Sequence, residues 1–519
     1  MRKTTTGILL VLVSTSVLVL ALNAQLVHCP TLPDTEWSRT YGGINRDVSS
    51  SVVQTADGGY AMAGATVPFG ESKAASWLVK TDAAGNLQWN KTYRAADFSE
   101  AWSLIQTSDG GYAIAGDTGL YTSDGLRIDF ELVKTDSIGN LIWNKTYGGV
   151  GWDRARSLVQ TSDGGFALAG QVSSFGAGSD DFWLVKTDLH GNLQWNKTYG
   201  GSGRDIAYSL VQTSDGGYAL TGMTESFSSD SEFWLARVDP AGNMLWNKTY
   251  GGPEDDIARK IIRASDGGYA LTGMTFSYGV GRDDFWLVKT DSAGNIQWNR
   301  TYGGADWDAA DSIIQTNDGG YVIAGDTDSL GAGSYDFWLI RTDALGNMLW
   351  NKTCGGIDIE FASSMVETSD GGCVITGSTK SFGAGDYDFW LIKLAPEEIL
   401  ATIDIDPETL NLKSNGQWIT AYIELPREHS PAEIDVASIL LNGSIGVDPE
   451  APTEIGDHDM DGLPDLMVKF QRAAIVEWLG SVDYGEDTGK SLEVTLAITG
   501  EVAGTPFEGI GTIRVLLKG

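Results

Sequence analysis

Residues 209–250 read SLVQTSDGGYALTGMTESFSSDSEFWLARVDPAGNMLWNKTY, and close copies of this stretch recur along the chain. Four short runs of apolar and β-branched residues are separated by turn residues, which is typical of four β-strands. The Ser-Asp-Gly-Gly and Asp-Pro-Ala-Gly-Asn turns contain the glycines that tight hairpins require. Each copy therefore predicts one small antiparallel sheet.

The unit recurs seven times between Trp37 and Leu394. A fixed period in strand-rich units predicts a β-propeller rather than a helical solenoid. The expected fold class is all-β, with a seven-bladed β-propeller at residues 37–394 followed by a β-sandwich. The Asp-Gly-Gly turns, 51 to 54 residues apart, begin at Asp57, Asp109, Asp163, Asp215, Asp266, Asp318 and Asp370.

The repeat is cut between its third and fourth strands, since residues 37–41 match a fourth strand and residues 389–394 match a third strand. We expect strand 37–41 to complete the sheet that contains residues 361–394, which would close the ring of blades. Deleting residues 37–41 should then open the ring. The alternative, an open array of hairpin pairs, would leave long strand edges exposed.

Tryptophan recurs in the third and fourth strands of the units, and Glu131 is the exception in the third-strand position. A small sheet cannot bury both of its faces alone, and each indole removed from water contributes roughly 2 to 3 kcal/mol. We interpret these tryptophans as core between blades rather than as a platform for a ligand.

Beyond Leu394 the repeat ends. Residues 395–401 are predicted to be a linker, and residues 402–519 hold alternating strands with one short helix near residues 472–479. About 115 residues of this kind are enough for a β-sandwich.

A calcium loop is predicted inside this second domain, where residues 457–465 read DHDMDGLPD. Carboxylates at positions one, three, five and nine, with glycine at six and a carbonyl at seven, reproduce most of an EF-hand loop. The twelfth position is Val468 instead of glutamate, so water or another acid must complete the shell. An acidic turn without metal is the alternative. The expected Ca²⁺ ligands are Asp457, Asp459, Asp461, Leu463 and Asp465.

An acid recurs at the start of the first strand in six units, and Ser99 occupies the remaining unit. If first strands line a channel, these acids could ring one mouth and hold cations or a basic ligand. Alternatively, each acid accepts hydrogen bonds from its own loop. The possible channel-mouth acids are Asp47, Asp153, Asp205, Asp256, Asp308 and Glu360.

The loops between the second and third strands should lie on the same face as these acids. They carry Phe175, Phe227, Tyr278 and Phe382 near their tips. Rim loops are common binding surfaces, and aromatic tips suit a protein or glycan ligand. The same side chains could also serve as loop anchors.

Residues 1–24 combine a basic start with an apolar stretch, which predicts a signal peptide, and residues 25–36 are expected to be an N-terminal linker. An uncleaved signal-anchor is the alternative. The chain is thus expected to be secreted or on the cell surface. A net charge of −34 argues against nucleic acid and anionic membranes as partners.

Seven sequons become candidate N-glycosylation sites in an exported chain. A consensus copied from unit to unit would also produce most of these motifs without any modification. The acceptor residues are Asn90, Asn144, Asn196, Asn247, Asn299, Asn351 and Asn442.

Two cysteines replace aromatic residues within a single unit. Cys354 stands where other units have the tyrosine of Thr-Tyr-Gly-Gly, and Cys373 stands where the aromatic residue follows Asp-Gly-Gly. The coincidence predicts that the two side chains meet across adjacent blades and form a disulfide, which an oxidising exterior permits. Two buried thiols are the alternative.

The LVKTDxxGNxxW hairpin resembles the turn-and-tryptophan repeat of quinoprotein-like and WD-like propellers. The QTxDGGYxxAG element is similar to repeats of secreted surface proteins of archaea and bacteria. The resemblance covers residues 37–394 and implies architecture only, because the adjacent cysteines and metal-binding acids of quinone enzymes are absent from the sequence. In the second domain, IDIDPETLNL, ILLNG and DxDxDGxxDLMVKF resemble an immunoglobulin-like accessory domain of secreted microbial proteins.

Two functional classes remain. A non-enzymatic binding or adhesion protein is favoured, because the chain has only four histidines and no nucleophile elbow or zinc motif. Near-identical blades also offer little of the asymmetry that catalysis needs. The alternative is a carbohydrate-active enzyme, either a lyase or a glycosidase, that uses acids at the channel mouth.

Overall fold

The computed structural model describes residues 33–68, 70–397, 399–426, 429–481, 491–502 and 505–516. The predicted signal peptide at residues 1–24 and most of the linker at residues 25–36 lie outside these ranges. Among the described helices, none is long and apolar enough to cross a membrane.

The described chain is nearly all β, and residues 35–394 form seven four-stranded antiparallel sheets. We call them sheets I to VII in chain order. The chain starts with β1 (Thr35–Tyr41), which belongs to sheet VII. Sheet I contains β2 (Asp47–Gln54), β3 (Tyr60–Thr66), β4 (Ala75–Thr81) and β5 (Leu87–Tyr93). Sheet II contains β6 (Phe98–Gln106), β7 (Tyr112–Thr122), β8 (Gly125–Thr135) and β9 (Leu141–Tyr147). Sheet III contains β10 (Arg154–Gln160), β11 (Phe166–Val172), β12 (Asp181–Thr187) and β13 (Leu193–Tyr199).

The remaining sheets repeat this order. Sheet IV contains β14 (Asp205–Gln212), β15 (Tyr218–Thr224), β16 (Glu232–Val238) and β17 (Met244–Tyr250). Sheet V contains β18 (Asp256–Arg263), β19 (Tyr269–Thr275), β20 (Asp284–Thr290) and β21 (Ile296–Tyr302). Sheet VI contains β22 (Asp308–Gln315), β23 (Tyr321–Thr327), β24 (Asp336–Thr342) and β25 (Met348–Cys354). Sheet VII contains β26 (Glu360–Glu367), β27 (Cys373–Thr379) and β28 (Asp388–Leu394), completed by β1.

Sheet VII is built from both ends of the repeat region. β1 pairs antiparallel with β28, with Trp37 opposite Lys393 and Tyr41 opposite Phe389. This is the pairing that the phase of the repeat predicts. Each first strand contacts the first strands of the sheets before and after it, and β2 contacts both β6 and β26. The first strands therefore surround a common axis.

Each Asp-Gly-Gly turn holds its aspartate against a basic residue of the third strand. In sheet III the Asp163 carboxylate accepts a hydrogen bond from the Gly165 N–H at 3.0 Å and pairs with Lys186 Nζ at 2.9 Å. Gly164 has a φ of 81°, a conformation that glycine adopts without strain. The ion pair thus joins the turn between the first and second strands to the third strand.

Third-strand tryptophans fill the space between sheets. Trp183 is 3% exposed and meets Phe130 of the preceding sheet edge to face, with ring centroids 4.5 Å apart. Six fourth-strand tryptophans are more exposed and pack on an aromatic residue of the next sheet, as Trp143 does on Phe166 at 6.0 Å. The exception is Trp350, which is 7% exposed and faces a sheet that begins its second strand with Cys373. The tryptophans therefore form core between sheets, as the composition of the strands predicts.

The second domain contains two more sheets around one apolar core. One sheet is formed by β29 (Ile399–Leu400), β31 (Thr409–Asn411), β33 (Ile434–Leu441), β34 (Ile445–Gly446), β37 (Ser491–Val502) and β38 (Thr505–Leu516). The other is formed by β30 (Thr402–Asp406), β32 (Trp418–Glu424), β35 (Glu454–Gly456) and β36 (Asp465–Gln471). A 3₁₀ turn spans Pro431–Glu433, and the single described α-helix, α1, spans Arg472–Ser481.

The boundary of the predicted linker is corrected by β29. Ile399 pairs in parallel with Phe507, so residues 399–400 belong to the second domain and not to a linker at residues 395–401. A two-residue strand carries too little periodicity to be recognised in the sequence.

Candidate functional site

Every first strand contains a β-bulge at the same place. In sheet III the register shifts between Ala155 and Ser157, so Arg156 has no partner on β11. A bulge bends the strand and changes the direction of the extra side chain. The seven bulge residues, which we call the axial residues, are Ser50, Trp102, Arg156, Tyr208, Arg259, Asp311 and Ser363.

The axial residues of neighbouring sheets interact with each other around the ring. Arg259 Nη1 donates a hydrogen bond to Asp311 Oδ1 at 2.6 Å. The Arg156 guanidinium lies 4.3 Å from the centroid of the Trp102 ring, and Tyr208 lies within electrostatic range of both arginines. All seven axial residues are half-buried, so solvent reaches them.

The axial position is the variable one in a repeat that is otherwise closely copied. The preceding residue is Ala or Ser in all seven units, and the following residue is Ser in six of them. The axial position itself carries serine, tryptophan, tyrosine, arginine and aspartate. Comparing the seven units position by position would have revealed this signal, which our sequence analysis missed. The ring therefore has a chemically asymmetric centre on a symmetric frame.

Two buried acids on second strands lie close to axial residues, Asp117 to Trp102 and Asp326 to Asp311. Trp102 Nε1 donates to Asp117 Oδ2 at 3.0 Å, and Asp117 is 1% exposed. Burial raises the pKa of Asp117 to about 7, although nearby Arg156 and Arg154 favour its charged form. Burial and the neighbouring Asp311 raise the pKa of Asp326 well above its usual range. The axis thus contains two buried carboxyl groups whose pKa values are raised, that of Asp117 to about 7.

The acids predicted to ring the channel mouth anchor loops instead. Asp205 Oδ2 accepts hydrogen bonds from Gly201 N at 3.0 Å and from Ser226 Oγ at 2.6 Å, and Thr224 donates to Oδ1. Such acids are at most 3% exposed, so they cannot hold a ligand at an open mouth. Of the two roles considered for these acids, the structure therefore shows hydrogen bonding to loops and not an open ring; the acids are Asp47, Asp153, Asp205, Asp256, Asp308 and Glu360.

The aromatic loop tips are both anchored and exposed. Phe175 packs on Trp183 with ring centroids 5.3 Å apart, yet 43% of its surface remains exposed. The same packing on the third-strand tryptophan of the same sheet occurs at Phe227, Tyr278 and Phe382, with ring centroids 5.2 to 5.5 Å apart. Part of each ring therefore remains accessible to a partner.

The acids of the predicted calcium loop converge. Asp457, Asp459 and Asp465 each offer a carboxylate oxygen, and these atoms lie within 4.8 Å of one another. Glu424, Asp459 and Asp461 form a second such group. Glu424 lies opposite Asp465 in the pairing of β32 with β36, so it is another acid at the loop, which the sequence left unnamed. Val468 has no side-chain oxygen and is fully buried, so its side chain belongs to the core and not to the loop.

The loop is tightly curled, and its charges contribute to raising the pKa of Glu424 beside it and of Asp465. Gly462 N donates to Asp457 Oδ2 at 3.2 Å, and Leu463 N donates to Asp461 Oδ1 at 2.7 Å. Burial, followed by the charges of Asp461 and Asp459, raises the pKa of Glu424. A hard cation would relieve this repulsion, and an all-oxygen donor set of this kind fits Ca²⁺.

The two cysteines lie in one apolar cluster but remain free thiols, so the predicted disulfide between Cys354 and Cys373 is not formed in the structure. Burial raises the pKa of the Cys373 thiol to about 12. In other sheets the equivalent tyrosine donates to the glycine carbonyl of the next Asp-x-x-Gly-Asn turn, as Tyr302 does to Gly346 at 2.7 Å. Sheet VII has no such turn, since the chain is cut there. The acceptor for a tyrosine at position 354 is therefore missing.

Glu397 occupies the place of the missing turn. The glycine of each other turn packs on a fourth-strand tryptophan, so that a Cβ on Gly346 would lie 2.6 Å from the Trp298 ring. At the seam Trp350 donates its indole N–H to Glu397, which also pairs with Arg341 Nε at 3.2 Å. The segment that leads to the second domain thereby covers the join in the ring.

The repeated sequon asparagines also have a structural role. Asn196 Oδ1 accepts a hydrogen bond from Trp183 Nε1 at 3.2 Å, and four other sheets repeat this contact. In sheet II, Asn144 instead donates to Glu131 Oε1 at 2.6 Å. Glycosylation of the seven sequon asparagines stays a prediction; they are Asn90, Asn144, Asn196, Asn247, Asn299, Asn351 and Asn442.

Comparison with known proteins shows that this chain is similar to several solved structures in fold. No family model matches the chain. The regulatory protein FlaEY of Caulobacter vibrioides is 26% identical over 164 residues, which is 27% of this chain and 17% of FlaEY, so the chain matches less than a fifth of that relative. The Pan2 WD40 domain of Neurospora crassa has 10% identity and a TM-score of 0.43, covering 66% of this chain and 88% of that domain.

Two further solved structures are similar at the same level. Sqt1 from Chaetomium thermophilum has 10% identity and a TM-score of 0.42, with 70% of this chain and 99% of that chain covered. Puromycin hydrolase has 13% identity and a TM-score of 0.39, and the match covers 73% of this chain and 59% of the hydrolase chain. An enzyme thus stands among the neighbours, and fold likeness at this level carries no statement about activity. The chain is made of repeated four-stranded sheets like those of β-propellers.

Proposed function

We propose that this protein is a secreted or cell-surface binding protein without catalytic activity. In this proposal sheets I to VII are the blades of a seven-bladed β-propeller, and the second domain is an immunoglobulin-like β-sandwich stabilised by Ca²⁺. The observation that carries the proposal is the asymmetric set of axial residues on a repeated frame. Binding requires a distinctive surface on a rigid support, and the axis provides one.

The ligand proposed is a protein or a glycan that approaches from the face with the aromatic loop tips. The four aromatic tips are 43 to 54% exposed, and a glycine follows each of them except Phe227; they are Phe175, Phe227, Tyr278 and Phe382. Large exposed aromatic side chains are enriched at contact surfaces. The net charge of −34 disfavours nucleic acid and anionic membranes as partners.

The second domain is proposed to depend on Ca²⁺ held by Asp457, Asp459, Asp461, Asp465 and the Leu463 carbonyl, with Glu424 as an additional acid. Bound Ca²⁺ would neutralise a cluster of like charges at one end of the paired strands β32 and β36. We therefore expect calcium to stabilise this domain, and to affect ligand binding only if the domain contributes to the binding surface.

A glycan array probed with the purified chain, with and without Ca²⁺, tests the proposal. Selective binding to a structural class of glycans is the expected result, and the D459N variant shows whether calcium acts through the loop. If no glycan binds and affinity capture with extracellular proteins also yields no saturable ligand, the proposed function is wrong.

A second candidate function is that of a carbohydrate-active enzyme, and one observation favours it. Burial raises the pKa of Asp117 to about 7, and burial together with Asp311 raises the pKa of Asp326 well above its usual range, so these carboxyl groups hold a proton more readily than an ordinary aspartate does. Such groups can serve as general acids. Release of reducing ends or unsaturated products from a polysaccharide panel, abolished in D311N or D117N, would establish this function over the first.

A further inference from the structure

Two acids meet at the contact between sheets III and IV. Asp181 begins the third strand of sheet III, and Asp205 begins the first strand of sheet IV. A Cβ added to Gly200, in the segment that connects the two sheets, would collide with both Asp181 Oδ1 and Asp205 Oδ2. The two carboxylates, which we call an acid pair, therefore border one small space.

One oxygen of Asp181 is used by its own loop, and the other has no partner. Oδ2 accepts hydrogen bonds from Ala177 N at 2.5 Å and from Gly178 N at 3.4 Å. Oδ1 is buried and has no hydrogen-bond partner among the described residues, and Asp181 as a whole is 1% exposed. A carboxylate oxygen withdrawn from water without a partner is unfavourable unless a ligand compensates for it.

The same oxygen is unpartnered in four sheets of the described ring. At the contact between sheets VII and I, a Cβ on Gly42 would collide with Asp388 Oδ1 and lie 2.7 Å from Asp47 Oδ2. Between sheets V and VI, burial raises the pKa of Asp284 to about 6, and the charge of Asp308 adds to the increase. The four acid pairs are Asp181 with Asp205, Asp284 with Asp308, Asp336 with Glu360, and Asp388 with Asp47.

The contact between sheets II and III shows what changes when a cationic side chain is present. Asp129 occupies the position of Asp181, and its Oδ1 accepts a hydrogen bond from Arg127 Nε at 3.1 Å. This oxygen has a partner because an arginine of the same strand reaches it. Between sheets IV and V, Glu232 takes the position and is only partly buried, and its carboxylate is not among the described buried oxygens that lack a partner.

The contact between sheets I and II lacks the acid pair, and an arginine takes the glycine position. Ala75 replaces the third-strand aspartate, Ser99 replaces the first-strand acid, and Arg94 replaces the glycine. Arg94 Nε donates to the Ala74 carbonyl at 3.1 Å. Both acids and the glycine are thus lost together, and a cation of the chain lies there instead. This joint change indicates that the acids and the glycine have one function, which is to hold a positive charge.

We propose that each of the four acid pairs binds a divalent cation of the Ca²⁺ class between two sheets. The unpartnered aspartate oxygen and the first-strand acid are two of its ligands, so the ion compensates Asp181 as Arg127 compensates Asp129. Hard divalent cations prefer carboxylate oxygens, and a chain with a net charge of −34 attracts cations. Asp205 keeps its loop hydrogen bonds, because each carboxylate oxygen has two lone pairs. This inference does not depend on the proposed binding function, and its sites are separate from the loop at residues 457–465.

Water can reach the acid pairs and complete the coordination shell. Gly42, Gly200 and Gly355 lie directly against unpartnered aspartate oxygens and are themselves exposed. Ca²⁺ takes about six to eight oxygen ligands, so water and backbone carbonyls must provide those that the two acids do not. A side chain at any of these glycines would fill the space beside the aspartate oxygen.

Equilibrium dialysis of the full chain against millimolar Ca²⁺, followed by elemental analysis, counts the bound ions. Asp459→Asn is the parent, because it removes a ligand of the loop in the second domain. We expect about four ions per parent chain, one for each acid pair, and about three after the further change Asp181→Asn. Asp129→Asn is the matched control, since it removes the same charge at the equivalent position of sheet II and should leave the count unchanged. A parent without bound calcium, or a count in Asp181→Asn no lower than in the control, would overturn the proposal.

Melting curves of the same variants give a second measurement. An asparagine at position 181 can still accept from Ala177 N, and its amide can donate to Asp205 in place of the ion. Compared with the parent, Asp181→Asn should therefore melt at the same or a higher temperature in EGTA and at a lower temperature in Ca²⁺. An equal decrease in both conditions would mean that Asp181 only supports its loop, and would contradict the proposal. If Asp181→Asn does not fold, Asp388→Asn provides the same comparison at the contact between sheets VII and I.

Discussion

Replacing Glu397 by alanine should destabilise the ring of sheets, although Glu397 lies outside every strand of the ring. Its carboxylate accepts the indole N–H of Trp350 and pairs with Arg341 Nε at 3.2 Å. Trp350 is 7% exposed, and the Arg341 side chain is 4% exposed. Neither donor can readily turn to water when the carboxylate is removed.

The magnitude follows from what each donor loses. Arg341 keeps Asp318, whose carboxylate lies 2.6 Å from Nη2, so its loss is small. The Trp350 N–H loses a hydrogen bond to a charged acceptor, which contributes about 1.5 to 3 kcal/mol. We therefore expect Glu397→Ala to lower the free energy of unfolding by roughly 2 kcal/mol, mostly through Trp350.

Urea unfolding followed by tryptophan fluorescence measures this loss. Glu36→Ala is the control, because Glu36 is 39% exposed and only meets Lys393 at 3.4 Å; its effect should stay below about 0.5 kcal/mol. In a Trp350→Phe background, which removes the N–H donor, Glu397→Ala should cost about 1.5 kcal/mol less than in the unchanged chain. An equal loss in both backgrounds would refute the assignment of the energy to this hydrogen bond.

Three other predictions address the calcium loop, the turns and the core. Millimolar Ca²⁺ should raise the melting temperature of the second domain, by an amount equivalent to about 2.7 kcal/mol at a hundredfold excess over Kd. The shift should vanish in Asp459→Asn and persist in the control Asp435→Asn. A shift that survives in Asp459→Asn would place calcium elsewhere. Four aspartates of the Asp-Gly-Gly turns have pKa values lowered to about 2, chiefly by the hydrogen bond from the threonine two residues earlier and then by the bond from Lys or Arg. Their stabilisation is therefore complete above pH ~4 and should disappear as pH falls through about 2. Acid titration of circular dichroism in low and high salt checks this, and stability that is flat from pH 5 to 2 would contradict it. Trp234→Ala should lower the free energy of unfolding by about 3 to 5 kcal/mol, because the indole is 1% exposed between two sheets. Trp152→Ala should lower it by less than about 1 kcal/mol, because that side chain is 50% exposed. Comparable losses in urea unfolding would show that burial between sheets is not what stabilises the ring of sheets.

Some properties of the site could be predicted from local sequence. The spacing of the acids in residues 457–465 predicts a metal-binding loop, and the structure brings Asp457, Asp459 and Asp465 together. Glu424 could not be found in this way, because only the pairing of β32 with β36 places it at the loop. The first-strand acids show the opposite case. Their recurrence was visible, but their role depended on donors such as Ser226, 21 residues further along the chain from Asp205.

The sequence by itself determined the period of the repeat, the strand pattern of each unit and the place where the ring is cut, because turns and alternating runs are encoded over a few neighbouring residues. Only the tertiary structure decided which side chains meet at the axis, why Cys354 replaces a tyrosine, and how Glu397 covers the seam. These outcomes depend on contacts such as that between Trp350 and Glu397, 47 residues apart. Contacts of that kind arise when sheets pack around an axis, and no local pattern contains them.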